Sequence, residues 1–205
     1  MNYSGIKVPF LDKNKIKEKA DVFRRKFWGD YLPVDIEKIV NFKLGIKILP
    51  TPNLRESCDI DAQISFNLKW IYVDYDMYRD ERQQNRLRFS FAHEIGHYAL
   101  HQNIYDQFKL TNIYKFRQII TEQISEQQYG YLETQANKFA SYLLVPRERF
   151  EIEKNKLINQ LKADPNFIKI KDNSYLAIPL STIFGVSAEA MEIVLKDESS
   201  NQKIA

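Results

Sequence analysis

The sequence predicts an α+β fold in which a small three-stranded sheet packs on helices and a small helical subdomain follows. Three short segments rich in β-branched and aromatic residues lie close together between residues 46 and 73. The segments on either side carry apolar residues at the three- and four-residue spacing of amphipathic helices. We place the main domain at residues 1–146 and the helical C-terminal subdomain at residues 147–205.

Composition and charge narrow the class of protein. The 205 residues are enough for one domain with a sizeable core. The 30 basic and 27 acidic side chains give a formal charge of +3. A charge so nearly balanced gives no reason to expect binding to nucleic acid or to an anionic membrane. The lone cysteine, Cys58, cannot form an intrachain disulfide, and no apolar signal core or membrane-length apolar run occurs. We therefore expect a soluble, cytoplasmic protein with no membrane partner.

Two helices are predicted before the sheet. Asp12 can cap a helix that runs to about Trp28. Its lysines and arginines, Arg24 among them, are interpreted as a solvated basic face, with a docking surface for an acidic partner as the alternative. A second helix is expected to begin near Pro33 and to end before Gly45. The apolar stripe of the first helix consists of Ile16, Ala20, Phe23 and Phe27.

The three predicted strands follow in quick succession. Ile46–Leu49 is bounded by prolines, and Ile60–Phe66 alternates apolar and polar residues. Trp70–Val73 is rich in residues that favour strands, and Asn67–Lys69 can connect it to the preceding strand as a hairpin.

All three histidines, His93, His97 and His101, fall within nine residues, and the first two frame an HExxH pattern. On a helix, residues four apart lie about 6 Å apart along the axis and close in rotation. Both imidazoles can therefore bind one metal ion from the same face. Glu94 lies beside that face, where its carboxylate can act as general base toward a water on the metal. The alternative is a solvated helix face that happens to carry histidines.

The rest of this helix, predicted over Arg82–His101, supports the metal site. Its apolar stripe lies opposite the histidines, so one side of the helix is expected to be buried while the histidines face a cleft. Gly96 costs roughly 1 kcal/mol relative to alanine in a helix interior, which indicates that something approaches the backbone closely there. The following stretch, Gln102–Thr121, has no clear period. The stripe consists of Leu87, Phe91, Ile95 and Tyr98.

A later helix, predicted over Glu126–Val145, supplies a candidate third ligand. Ser125 and Gln128 look like a capping box at its start. Glu133 lies at the edge of the apolar stripe, where a carboxylate is unfavourable unless it is paired or bound to metal. It could complete a His₂Glu zinc site, but a salt-bridged or solvent-reaching glutamate is equally compatible with the spacing. Glu122 and Glu126 compete for the same role.

The C-terminal part is predicted to be helical. The charged stretch Arg147–Lys162 is expected to form an exposed helix. Two short helices, Leu176–Phe184 and Ser187–Lys196, then form a helix-turn-helix outline. Glu189 and Glu192 lie on the second of them, which argues against direct DNA binding because phosphate contacts need cations. We interpret this part as a packing or partner-docking element.

Two sequence blocks resemble the ImmA/IrrE family of zinc metallopeptidase-like proteins. The first is FSFAHEIGH at Phe89–His97, followed by Leu100–His101. The second follows the family pattern E-x-x-A-N-x-F-A…L-L-x-P, with its parts at Glu133–Ala140 and Leu143–Pro146. The resemblance covers about residues 30 to 147, and a weaker likeness extends from Leu180 to Met191.

This resemblance implies a minimal zincin-like domain of the gluzincin type. Zinc would be held by His93, His97 and Glu133, which favours Glu133 over its two competitors, and Glu94 would be the general base. Asn137, one turn after Glu133, would support a ligand or the structure.

The other implied roles are less specific. His101 lies on the ligand face, where a supporting or structural role is favoured over direct ligation. No residue is singled out to stabilise the oxyanion. We expect the Trp70–Val73 strand to be a sheet edge to which an extended substrate adds.

The family also implies a biological role. Some members inactivate helix-turn-helix repressors of mobile elements or stress regulons by cleaving them. The leading hypothesis is therefore a zinc-dependent endopeptidase that acts on such a repressor or another regulatory protein. The alternative is a non-catalytic, metal-containing regulator that binds a repressor partner, and the intact Glu94 argues against it. A transcription factor that uses the terminal helix pair is disfavoured by the acidic last helix.

Overall fold

A computed structural model gives the structure of the chain for residues 5–107, 119, 123–163 and 174–202. The described residues form a three-stranded sheet packed against helices, which confirms the predicted α+β class. The first half contains α1 (Lys13–Phe27), α2 (Ile36–Lys38) running into a π-helical turn (Ile39–Lys43), β1 (Lys47–Thr51), α3 (Leu54–Cys58), β2 (Ala62–Ile64), β3 (Trp70–Asp74) and α4 (Tyr75–Arg79). A 3₁₀ turn (Glu81–Gln83) then leads into α5 (Gln84–Leu100) and α6 (Gln102–Tyr105). The second half contains α7 (Glu126–Leu144), α8 (Arg147–Lys162), a 3₁₀ turn (Ser174–Leu176), α9 (Ala177–Phe184) and α10 (Ala188–Gln202).

Helix α1 forms where its cap and stripe predict, with one exception. The Asp12 carboxylate accepts a hydrogen bond from the Lys15 N–H at 3.0 Å. Arg24, which the sequence places on the solvated basic face, is buried instead. Its guanidinium donates to the Gly29 carbonyl and to the Asp30 carboxylate, the latter at 2.6 Å, so the loop after the helix satisfies the charge. The prediction for Arg24 was wrong because this loop is not visible in the helical pattern.

The second helix begins later than Pro33. Asp35 is its N-cap, and the Asp35 carboxylate accepts from the Lys38 N–H at 3.0 Å. An aspartate stabilises a helix start by satisfying an unpaired backbone donor, which proline cannot do. The helical region therefore starts at Ile36 and ends before Gly45, as the sequence predicts for its end.

The strand order overturns one expectation about the sheet. The order is β1-β3-β2, with β1 parallel and β2 antiparallel to β3. The Trp70 strand is therefore central and cannot be the free edge. The central position agrees with the burial of this strand, because the Ile71 and Val73 side chains are both fully buried. The edge that lies against α5 is β2.

The strand limits also differ from the prediction. Strand β1 continues through Pro50, which an edge strand tolerates because the missing N–H would face away from the sheet. Strand β2 is limited to Ala62–Ile64, shorter than the predicted Ile60–Phe66. The hairpin between β2 and β3 forms as predicted, with the Leu68 N–H bonded to the Ser65 carbonyl at 2.9 Å.

Helices α5 and α7 approach each other closely at Gly96. A Cβ atom at this position would lie 2.9 Å from both the Cα and the carbonyl oxygen of Ala136. The expectation that something approaches the backbone at Gly96 is therefore confirmed, and the neighbour is the backbone of α7. The predicted capping box of α7 is only half formed. The Ser125 hydroxyl accepts from the Gln128 N–H at 3.4 Å, but the Gln128 side chain accepts from the Val8 N–H instead.

The C-terminal helices have the predicted helix-turn-helix outline. Gly185 has a φ of 62°, the left-handed conformation that glycine adopts readily, and Ser187 caps α10 by accepting from the Ala190 N–H at 3.1 Å. Helix α10 extends to Gln202, beyond the predicted end at Lys196.

The helix pair rests against the start of the histidine helix. The Asn85 amide donates to the Val186 carbonyl at 3.1 Å, and the Arg88 guanidinium covers Gly185. The boundary placed after Pro146 stays a prediction. In the described part of the chain, no single helix is long and apolar enough to cross a membrane, and one bent pair, Ser174–Phe184 with Ala188–Glu198, passes by length and composition only.

Candidate metal centre

Helices α5 and α7 bring three donor side chains together. The Nε2 atoms of His93 and His97 are 3.0 Å apart. Glu133 faces both rings, with Oε2 at 3.2 Å from His93 Nε2 and Oε1 at 3.6 Å from His97 Nε2. The spacing of four residues on α5 aligns the two imidazoles, and the close contact at Gly96 brings α7 near enough for Glu133 to reach them.

The donor set fits a tetrahedral metal ion. Zinc bound by nitrogen and oxygen ligands at about 2.0–2.1 Å has ligand atoms about 3.3–3.4 Å apart along the edges of the tetrahedron. The two imidazole nitrogens are 3.0 Å apart, and each lies near a different oxygen of Glu133, at 3.2 and 3.6 Å. One ligand atom from each residue lies within 4.8 Å of the other two, so the three groups are close enough to share an ion. Two neutral imidazoles and one carboxylate are also the ligands that a catalytic zinc site uses, with a fourth position left open. His93, His97 and Glu133 could therefore hold a metal ion together.

The competing glutamates are placed differently. Glu126 lies in the first turn of α7, exposed and seven residues before Glu133. It is not part of the donor cluster found among the described residues. Glu122 lies outside the described residues.

Glu94 is buried next to the donor cluster. Its Oε2 accepts from the Ile64 N–H at 2.6 Å, so the edge strand β2 holds the carboxylate. Burial raises the pKa of Glu94 to about 7, although the nearby His93 and the Ile64 N–H act in the opposite direction. The carboxyl group is therefore poised to exchange a proton near neutral pH.

The pKa values of the two HExxH histidines shift in opposite directions. Burial acts to lower the pKa of His93, but the hydrogen bond to Glu133 and the charge of Glu94 outweigh it and raise that pKa to about 9. Burial and the neighbouring His93 lower the pKa of His97 well below its usual value. The Glu94 and Glu133 carboxylates therefore stabilise a positive charge on His93. A bound cation would replace this charge.

Further polar groups contact the ligand histidines from behind. His93 Nδ1 lies 2.8 Å from Asn137 Oδ1, which agrees with a supporting role for Asn137. His101 is buried, and its Nδ1 lies 3.1 Å from His97 Nδ1. His101 Nε2 in turn lies 3.1 Å from Gln135 Oε1. Gln135 was not predicted as a site residue, although a glutamine within a buried helix face was the available signal.

A cleft of about 300 Å³ opens in front of the cluster. One wall is β2 with the loop that precedes it, and another carries aromatic side chains. Two of these, Tyr105 and Tyr129, belong to the many tyrosines that no spacing singles out in the sequence. Burial raises the pKa of Tyr105 well above that of an ordinary phenol, so the group stays protonated at neutral pH. The wall residues are Asp59, Ile60, Asp61, Ala62, Gln63, Phe89, Ser90, Tyr105, Tyr129 and Leu132.

Residues 77–196 match the IrrE N-terminal-like domain of the M78 peptidases. The chain belongs to this family. The match spans α5 and α7, the two helices that carry the donor cluster, and it confirms the ImmA/IrrE resemblance noted in the sequence. The family is one of metallopeptidases, so the cleft and cluster are the candidate active site of this chain.

A solved structure with a similar fold is a Mycobacterium tuberculosis transcriptional regulator, with a TM-score of 0.53 and 15% sequence identity. The similarity covers 87% of this chain but 45% of the regulator, so the chain spans less than half the length of that protein. At this identity the similarity shows the fold alone. No curated protein matches the chain significantly.

Proposed function

We propose that the chain is a zinc-dependent endopeptidase of the ImmA/IrrE type. The observation that carries the proposal is the position of Glu94. Its carboxyl group is buried beside the three candidate metal ligands and lines the same cleft. A site that only binds metal for structure has no use for such a group.

Each residue at the site has its own role in the proposed reaction. A zinc ion held by His93, His97 and Glu133 would lower the pKa of a bound water to about 7 and polarise the scissile carbonyl. Glu94 takes the proton of the attacking water and delivers it to the leaving amine. The Ile64 N–H keeps the Glu94 carboxylate in place for both transfers.

Among the described residues, β2 pairs with no strand on the side away from β3, and we assign this edge to an extended substrate. Residues 61 and 65 of this segment bond to β3 through the Asp61 carbonyl and the Ser65 N–H. Because backbone groups alternate in direction along a strand, Ala62 directs its N–H and carbonyl to the opposite side. Ala62 also lines the cleft, so a peptide that pairs with it runs in front of the donor cluster.

The proposed substrate is a regulatory protein, with a helix-turn-helix repressor of a mobile element or stress response as the leading candidate. Family membership supports this class, and an open cleft beside a strand edge suits an extended segment of another protein. Direct DNA binding is not part of the proposal, because α10 carries Glu189 and Glu192. A cytoplasmic location fits such a substrate.

The test compares zinc-loaded wild type with Glu94→Gln on a library of peptides from a proteolysed bacterial lysate, with new termini read by mass spectrometry. The glutamine keeps an acceptor for the Ile64 N–H but cannot take a proton. We expect cleavage by the wild type and a loss of roughly 10²–10⁴-fold in the variant, with zinc content unchanged in both. Equal cleavage by the two proteins would exclude Glu94 as the base. If zinc is bound and neither protein cleaves any peptide, the non-catalytic regulator is favoured.

A further inference from the structure

A continuous set of hydrogen bonds joins the N-terminal segment to a proposed metal ligand. The Gln135 amide nitrogen donates to the Pro9 carbonyl at 2.9 Å. Gln135 Oε1 lies 3.1 Å from His101 Nε2, and His101 Nδ1 lies 3.1 Å from His97 Nδ1. Gln135, His101 and His97 are 4%, 1% and 5% exposed, so water does not compete for the two bonds among these side chains. The bond from Gln135 to the exposed Pro9 is partly buried.

The N-terminal segment is itself held in place on α7. The Val8 N–H donates to Gln128 Oε1 at 2.5 Å, and Ile6 and Val8 are buried. Gln128 and Gln135 are seven residues apart and therefore lie on the same side of the helix two turns apart. This is why Gln128 does not complete its capping box. The two glutamines together fix where the Pro9 carbonyl points.

The donor and the acceptor of each bond in this set can be assigned by starting from the Pro9 carbonyl. The Pro9 carbonyl can only accept, so Gln135 must present its NH₂ group to it and its oxygen to His101. His101 Nε2 must then carry a hydrogen. A neutral imidazole carries one hydrogen, so His101 Nδ1 accepts from His97 Nδ1. His97 Nε2 is left with its lone pair directed toward His93 and Glu133.

We propose that the segment Gly5–Pro9 fixes the tautomer of His97 through Gln135 and His101, and so prepares Nε2 of His97 to bind metal. The proposal rests on the proposed zinc site and deepens it. Without the set of bonds, His97 would also adopt the tautomer with a hydrogen on Nε2, and that nitrogen could not then bind a metal. His101 and Gln135 are thus positioning residues, and an element far from the cleft contributes to metal affinity.

The direct test is the nitrogen-15 NMR spectrum of the metal-free, untagged full chain. The protein has only three histidines, so the imidazole region contains these rings alone. We expect a hydrogen on Nδ1 of His97 and on Nε2 of His101. The opposite tautomer on either ring would overturn the proposal, and this measurement needs no variant to fold.

Variants then measure the effect on metal affinity, with zinc competed by a chelating dye. His101→Phe keeps an aromatic ring but removes the acceptor, His101→Gln keeps one, and Gln135→Met removes both bonds of Gln135. We expect zinc affinity to fall roughly 10–100-fold in His101→Phe and Gln135→Met and less in His101→Gln. Gln127→Met, on an exposed position of the same helix, is the matched control and should bind zinc like the wild type.

The outcomes separate this proposal from the proposed function. Unchanged zinc affinity in folded His101→Phe and Gln135→Met would show that these residues only fill space, whatever the enzyme cleaves. If the wild type binds no zinc, the proposed function fails. The tautomers of His97 and His101 then still show whether the segment Gly5–Pro9 fixes the His97 tautomer. Thermal unfolding of each variant identifies a loss of affinity that comes from loss of structure.

Discussion

Glu133 shows how much a single residue depends on its partner helix. From spacing alone, a salt-bridged glutamate and a third metal ligand are equally compatible with its position. The structure places its carboxylate 3.2 Å from His93 Nε2 and 3.6 Å from His97 Nε2, which no pattern along α7 can specify. The neighbouring α5 brings both imidazoles to this point, which makes Glu133 a candidate third ligand.

The role of Glu133 leads to a prediction about metal content. In Glu133→Ala one of three donors is lost, so we expect zinc to fall well below one ion per chain after purification without added metal. Mass spectrometry of the intact protein measures this directly. Glu126→Ala removes an exposed carboxylate from the same helix and should leave zinc content unchanged. Stoichiometric zinc in Glu133→Ala would mean that another group completes the site.

Arg24 and Gln135 show what residue patterns leave out. Periodicity places Arg24 on a basic face, yet the following loop supplies a carbonyl and a carboxylate that allow it to be buried. Gln135 has a role only through His101 and Pro9, which lie on distant parts of the chain. Local spacing predicts HExxH chemistry because both histidines belong to one helix. Contacts between elements require the fold.

At the scale of elements, the long helices were predictable, whereas the short helices α3, α4 and α6 and the strand order were not. Asp12 and Ser125 cap their helices as expected, because a cap depends on a few neighbouring residues. The place of β3 at the centre of the sheet depends on pairing with β1, more than twenty residues earlier. Short strands do not carry enough pattern to specify such a partner.

The close contact of α5 with α7 gives a second prediction. Gly96→Ala would place a methyl group 2.9 Å from the backbone of Ala136, and backbone cannot move aside as a flexible side chain does. We expect a loss of about 1–3 kcal/mol in the free energy of unfolding, together with weaker zinc binding as the two helices separate. Urea denaturation and the chelator competition measure the two effects.

Gly130→Ala is the matched control for this prediction. It lies on α7, and a Cβ there would meet nothing within 4 Å. Because alanine favours the helix by about 1 kcal/mol over glycine, this variant should be as stable as the wild type or more so. If Gly96→Ala behaved in the same way, the helices would not be in close contact at the metal centre.

At the scale of the whole molecule, an ion-pair network ties α10 to α8. Lys154 lies between Glu198 at 2.8 Å and Glu151 at 2.7 Å, and Arg147 also pairs with Glu198. The Lys154 and Glu198 side chains are each 8% exposed. The C-terminal helix is therefore attached by charges that are largely removed from water, in addition to its apolar contacts.

The third prediction concerns this network. Glu198→Ala leaves Lys154 and Arg147 each with one partner fewer in a buried setting, so we expect a loss of about 1–3 kcal/mol in the free energy of unfolding. Glu192→Ala removes an exposed pair with Lys196 on the same helix and should change stability by less than about 0.5 kcal/mol. Chemical denaturation followed by circular dichroism compares the two. Equal effects would mean that the buried network adds nothing beyond a surface pair.

The bond between Ile64 and Glu94 also limits how a substrate can align. The Ile64 N–H points away from β3 but is already bonded to the Glu94 carboxylate, the proposed base. An incoming peptide could accept a hydrogen bond from the Ala62 N–H but not from the Ile64 N–H. A chain shifted by one repeat would lose that bond, so a single alignment is favoured. Pairing with Ala62 would then determine which peptide bond lies at the metal centre, so one bond in a given segment would be hydrolysed.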